Sequence, residues 1–258
     1  MLGQRRPLVG TRLVEAALFL VTVAAWGALL AQPNSMSVNM PAGASVLPVI
    51  TGLVAFVAAW TVMMAAMMLP SAAPLVLLYR GAAGGGGGNT APLAAGYLLT
   101  WALFGAAVYL IQQALAFAAG RSMVLQDGLP YGVAASLLAA GVYQFTPLKD
   151  ACLRQCRRPL DFLVQRWRPG ARGAFRLGVE HGGYCVGCCW GLMAVLVVAG
   201  AMGLAWVALL TLVIFAEKLL PGGRRTAQLT GAALVGLGLV VAVRPEVAML
   251  LRGGGMGM

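Results

Sequence analysis

The sequence predicts an all-α fold, a polytopic bundle of membrane-spanning helices. Three observations predict it. Of 258 residues, 60% are hydrophobic and only 10% are charged, whereas a soluble globular domain carries about 25% charged residues. The apolar residues fall in long runs, near the roughly 20 residues a helix needs to cross a bilayer. The 18 Lys and Arg, set against 7 Asp and Glu, cluster on alternate sides of those runs, as the positive-inside rule requires. On a soluble chain a net charge of +11 would suggest nucleic acid. Here retention of basic residues in cytoplasmic loops accounts for it, and no nucleic-acid partner is expected.

Seven spans are expected. Arg5, Arg6 and Arg12 precede the first, residues 13–31. The run is long for a signal peptide, and Gln32-Pro33 stands where a small-residue cleavage site would be, so it is read as a retained helix. The second, 46–69, ends against Pro70, with Pro74 beyond. The glycine run 84–88 reads as a flexible tether to the third span, 92–119. The fourth is 130–146. The fifth and sixth, 184–199 and 202–218, are parted only by Gly200-Ala201-Met202-Gly203; without a tight turn there the count is six. The seventh is 227–243. Between the fourth and fifth lies the largest extramembrane segment, 147–183. Its Leu160, Leu163 and Val164, set between basic ends, predict a short helix lying on the anionic inner leaflet.

The charges orient this bundle. With a cytoplasmic N-terminus, every Lys and Arg except Arg121, Arg244 and Arg252 falls on the cytoplasmic side, and the C-terminus falls outside. The expectation is a single integral membrane domain, 1–258, multi-pass in a bacterial inner membrane. Residues 1–45 hold the first span and outer loop, 147–183 the basic loop, and 222–258 the last span and tail.

Four clusters carry candidate chemistry. Met64, Met67 and Met68 stand at i, i+3 and i+4, one helical face, and thioether sulfur suits Cu(I), although Met also serves as pliable filler. Pro70 frees a backbone carbonyl near Ala66. Cys152 and Cys156 are four apart, and neighbouring Arg154, Arg157 and Arg158 are expected to favour thiolate. Cys185, Cys188 and Cys189 share one face, with His181 one turn earlier. Gly182, Gly183, Gly187 and Gly191 strip this stretch of side chains, for close helix packing or for ligand access. Cys-x-x-Cys serves both metal binding and dithiol redox chemistry. Glu217 lies just inside an apolar run, where an acid must be paired or functional; its bland reading is an ion pair with an arginine of the basic loop. Charge topology puts all four at the cytoplasmic face, so one shared site is expected.

In order, these motifs are Trp60…Met64…Met67-Met68…Pro70…Pro74, then Thr146-Pro147-Leu148-Lys149…Cys152…Cys156, then His181-Gly182…Cys185…Gly187-Cys188-Cys189-Trp190…Leu192-Met193, then Trp206…Glu217-Lys218…Pro221. The set resembles a bacterial family described as predicted metal-binding integral membrane proteins, a domain of unknown function. The resemblance covers about residues 50–221, and Gly203 departs from it where a polar residue is usual. It implies a multi-helix inner-membrane protein that binds metal.

The function expected is Cu(I) binding near the cytoplasmic face through Cys152, Cys156, Cys185, Cys188, Cys189, Met64, Met67 and Met68, with His181 and Glu217 as further ligands. Copper handling or a metallo-active site would follow, with a metallochaperone or membrane enzyme as partner beside the lipid bilayer. Zinc is the alternative metal, since Cys/His spacing also fits tetrahedral zinc. The competing functions are a metal-dependent oxidoreductase or dithiol–disulfide exchanger and, third, a metal transporter.

Overall fold

A computed structural model describes residues 5–31, 46–83, 90–121, 128–198 and 204–251. Every regular element among them is a helix: α1 Arg5–Ala31, α2 Val46–Ala82, α3 Thr90–Ala119, α4 Leu129–Tyr143, α5 Pro147–Arg157, α6 Pro159–Arg166, α7 Gly170–Val198, α8 Leu204–Leu219, α9 Gly223–Val243 and α10 Glu246–Leu251. The all-α expectation holds. The glycine run 84–88, the turn at 200–203 and the C-terminal tail lie outside the described residues.

Among the described residues, four of the seven expected spans correspond to helices long and apolar enough to cross a membrane, in α1, α2, α3 and α9. The apolar part of α4, Pro130–Tyr143, is shorter, because the chain turns at Gln144–Thr146 and restarts as α5. Helix α8 has 16 residues. Helix α2 does not stop at Leu69. It runs 37 residues with both Pro70 and Pro74 inside it, so each proline costs the ladder one bond without ending the helix.

The expected basic loop is almost wholly helical. Helix α7 begins at Gly170, well before the expected start at Tyr184. Gly170 takes φ +77°, a left-handed conformation that favours glycine and lets the chain turn out of Arg168-Pro169 into the helix. The expected interfacial helix is α6, but its apolar residues divide. Phe162 and Leu163 are buried, while Leu160 and Val164 are exposed.

The chain divides into two compact units, residues 1–107 with 154–186, and residues 108–153 with 187–258. In the first, Ala25 of α1 packs with Ala65 and Ala66 of α2, flanked by Trp26, Leu29 and Leu98. A second cluster joins Leu75, Val76 and Tyr79 of α2 to Leu93 of α3, Phe162 and Leu163 of α6, and Ala174 and Leu177 of α7. Helices α3 and α7 cross at glycines. A Cβ on Gly96 would run into the Phe175 carbonyl, and one on Gly178 into the Leu93 carbonyl. Such small residues bring backbones together and gain van der Waals contact even where lipid removes the hydrophobic drive.

The second unit repeats the device. In α4 and α9, Gly141 and Gly231 face each other, and a Cβ on either would lie within 3.0 Å of the other's carbonyl oxygen. Val133, Ala134 and Leu137 of α4 meet Val241 of α9 and Ala248 of α10 to form its core.

Candidate metal centre

Helix α7 carries the centre. Cys185, Cys188 and Cys189 recur at i, i+3 and i+4 and so share one face. Each is 2% exposed or less, and their three sulfurs all lie within 4.8 Å of one another. Sulfurs bound about 2.3 Å from a shared ion stand roughly 4 Å apart in a trigonal arrangement. A small contraction of side-chain torsions would therefore bring the three onto one ion. None of the five cysteines is in a disulfide.

In the first unit Cys185 has a partner that sequence reasoning missed. The Tyr97 hydroxyl of α3 lies 3.0 Å from the Cys185 sulfur and donates to the Met68 carbonyl at 3.3 Å. The Ser71 hydroxyl donates to the same carbonyl at 2.8 Å. Tyr97 thus ties the thiol to α2 where the prolines interrupt its ladder. Its signal in the sequence was a phenol inside an apolar helix, which needs a polar partner when buried. Met63, Met64, Met67 and Met68 are all fully buried, and Met64, Met67 and Met68 share one face of α2 at i, i+3 and i+4. Tyr97 meets Met68 through its carbonyl oxygen.

His181, one turn before Cys185, is 3% exposed. Its ring sits 5.2 Å from that of Phe162 and 5.9 Å from that of Tyr97. Gly182 provides the room for this approach, since a Cβ there would lie 2.8 Å from the Thr100 side chain. Cys156, at the end of α5, is half-buried.

In the second unit, α5 brings Cys152 up to α7. Its sulfur would lie 2.7 Å from a Cβ on Gly187, so the glycine gives space to a thiol. Beside it the Tyr143 hydroxyl donates to the Gly187 carbonyl at 2.5 Å, and the Tyr143 ring meets Trp190 edge-on at 5.0 Å. Of the two expected uses of the α7 glycines, close packing is the one present: Gly182 gives room to Thr100 and Gly187 to the Cys152 thiol. The expected effect of the arginines on Cys152 is reversed. Burial, and then the negative charge of a Cys188 thiolate, push the Cys152 thiol above its ordinary range. Arg154 and Arg158 stay exposed, where solvent screens them.

Glu217 is 1% exposed, and its partner is Lys149, not an arginine of the loop. Lys149 Nζ lies 2.7 Å from Glu217 Oε2, with both side chains almost wholly buried, and also donates to Gln144 Oε1. The signal for Lys149 was its position three residues before Cys152 on a short amphipathic helix. A buried acid also required a cation. The pair fixes α5 to α8, and with it the backbone that carries Cys152.

No curated protein and no solved structure matches the chain. A family profile described as a copper chaperone, PpoB2, matches residues 57–241, well over half of the chain. The match takes in the α7 cysteines and identifies the family by copper where the sequence resemblance supplied metal binding without a function. With its three buried thiols gathered on one helix face, the chain belongs to the PpoB2 copper chaperone family.

Proposed function

We propose that this protein takes up Cu(I) on the thiols of Cys185, Cys188 and Cys189 and passes it to a partner protein. The observation that carries this reading is the buried triad, whose sulfurs lie within 4.8 Å of one another. Soft thiolate ligands select Cu(I), and the family is one of copper chaperones. Cys152, seated against Gly187, is the thiol through which the ion enters or leaves the triad. Cys156, one turn along α5, and His181, one turn along α7, hold the outer positions of the path. Met64, Met67 and Met68 supply a soft wall. Glu217 acts from Lys149, by holding α5.

The protein spans a bacterial inner membrane several times with its N-terminus in the cytoplasm. Supporting this are the four long apolar helices and their exposed large side chains, among them Phe19, Leu103, Phe117, Leu229 and Val243. A monomer in water rarely leaves so much apolar surface uncovered. Helix α4, the second half of α7, and α8 complete the seven spans.

The test is elemental analysis of protein purified in reductant and then reconstituted with Cu(I) or Zn(II). Near-stoichiometric copper, lost in Cys188→Ser and in Cys189→Ser, is expected. Copper no higher than in a variant lacking all three α7 cysteines would overturn the reading, and zinc retained in preference to copper would replace the metal. The closeness of Cys152 to Gly187 also favours a second reading, dithiol exchange between Cys152 and Cys188. Trapping of a mixed disulfide with a partner in Cys188→Ser would select it.

A further inference from the structure

Away from the thiols, the first unit holds a polar cavity of about 550 Å³ lined by Gln165, Arg166, Trp167, Arg168, Arg176 and Glu180. Three guanidiniums and one carboxylate line it, so the charge within is unbalanced. The single acid is already engaged from two sides. Arg166 donates to Glu180 Oε2 at 2.8 Å and Arg176 donates through Nε to Oε1 at 2.9 Å. Arg166 also gives its other terminal nitrogen to the Tyr184 hydroxyl, at 2.8 Å. The terminal nitrogens of Arg176 remain, as does the whole guanidinium of Arg168, which makes no side-chain hydrogen bond or ion pair among the described residues.

Planar guanidinium forks match the oxygens of a phosphate group. The surroundings suit a lipid. Trp167, whose ring packs 5.0 Å from that of Tyr79, borders the cavity, and Trp prefers the headgroup level of a bilayer. On α6, one and two turns back, Val164 and Leu160 are 72% and 57% exposed. This places an outward apolar strip for an acyl chain next to donors for a headgroup.

We propose that this cavity is a binding site for the phosphate group of an anionic phospholipid, gripped by Arg168 and Arg176 and bordered by Trp167. The proposal rests on the membrane reading above but not on copper. In it Arg166 and Glu180 form the wall that orients Arg176, and the lipid clamps the α6–α7 corner to the leaflet.

The test uses the full chain, copper-loaded, in nanodiscs of phosphatidylcholine doped with phosphatidylglycerol, with retained lipid counted by native mass spectrometry. Selective retention of phosphatidylglycerol is expected, weakened about fivefold in Arg168→Gln and again in Arg176→Gln, as for the loss of one cation near a charged surface. Arg225→Gln, which removes an equal charge outside the cavity, is expected to leave retention unchanged. Equal loss in Arg225→Gln would show diffuse attraction and overturn the site. So would inorganic phosphate binding at the cavity with no competition from lipid, which would make the ligand a soluble anion. Arg168→Lys guards against misfolding: it keeps the charge and loses the fork, and partial retention supports the proposal while wild-type retention overturns it. Copper content measured on the same samples separates failure of this site from failure of the metal reading. Resistance of each variant to alkaline carbonate extraction separates it from failure of the membrane reading.

Discussion

At the scale of single residues, the Tyr97 hydroxyl lies between the Met68 carbonyl and the Cys185 sulfur. It donates to the Met68 carbonyl, and a Cys185 thiolate, which can only accept, would take the phenol's hydrogen bond in its turn. Groups that orient a ligand in this way cost about 10–100-fold in metal affinity when removed. Tyr97→Phe is therefore expected to weaken Cu(I) binding by about tenfold in competition with a Cu(I) chelator, while Tyr131→Phe, at an exposed ring, leaves it unchanged. Gly187 makes the companion case. A branched side chain there must push Cys152 away, because even a Cβ would lie 2.7 Å from its sulfur. Gly187→Val is expected to leave copper on the triad but to expose Cys152 to alkylation in the loaded protein, read by mass spectrometry. Cys185, Cys188 and Cys189 were legible in the sequence because rare residues recurred at helical spacing. Tyr97 was not, since a tyrosine in an apolar run states neither its partner nor its side of the helix.

At the scale of elements, the Lys149–Glu217 pair joins α5 to α8. Removing one member of a buried pair leaves a charge without its counterion and costs about 3–5 kcal/mol. Lys149→Met is expected to lower stability by about that much, and Lys149→Met with Glu217→Leu to recover most of it. Thermal unfolding of the two single variants and the double variant checks this. In the other unit, Glu180 joins α7 to α6 through Arg166. The hydrogen bond from Arg166, and then that from Arg176, outweigh burial and hold the Glu180 carboxyl below its ordinary range. A depressed carboxylate adds stability that is full above its unfolded-state value and is lost as pH falls through the lower folded value. Acidification through that window is expected to lower the melting temperature of the wild type more than that of Glu180→Gln. The stretch 147–183 was the least legible part of the chain. Its glycines and arginines read as loop, because what makes it helical is contact with other elements. Gly178 earns its place from the Leu93 carbonyl it meets, a neighbour 85 positions away in the numbering.

At the scale of the whole molecule, the positive-inside pattern makes a prediction independent of copper. Reporter fusions after Arg80 and after Arg225 are expected to be active only in the cytoplasm, and one after Arg121 only outside. An external reporter after Arg80 would invert the bundle. Helix class and the long apolar helices α1 and α3 were legible because hydrophobic length is a local property. The span count was less so. Proline usually ends a helix, yet α2 passes two of them, and α4 stops short where the expected run continued. A 37-residue helix is about 55 Å long, whereas the hydrocarbon of a bilayer is about 30 Å thick. In the proposed orientation α2 therefore leaves the lipid near Met68, and its last turns stand in the cytoplasm as a post against which α6 leans. The Tyr97–Cys185 link, tied to α2 at Met68, then sits at the waterline and not at mid-membrane. On the proposed function, a soluble partner would collect the ion there without entering the bilayer.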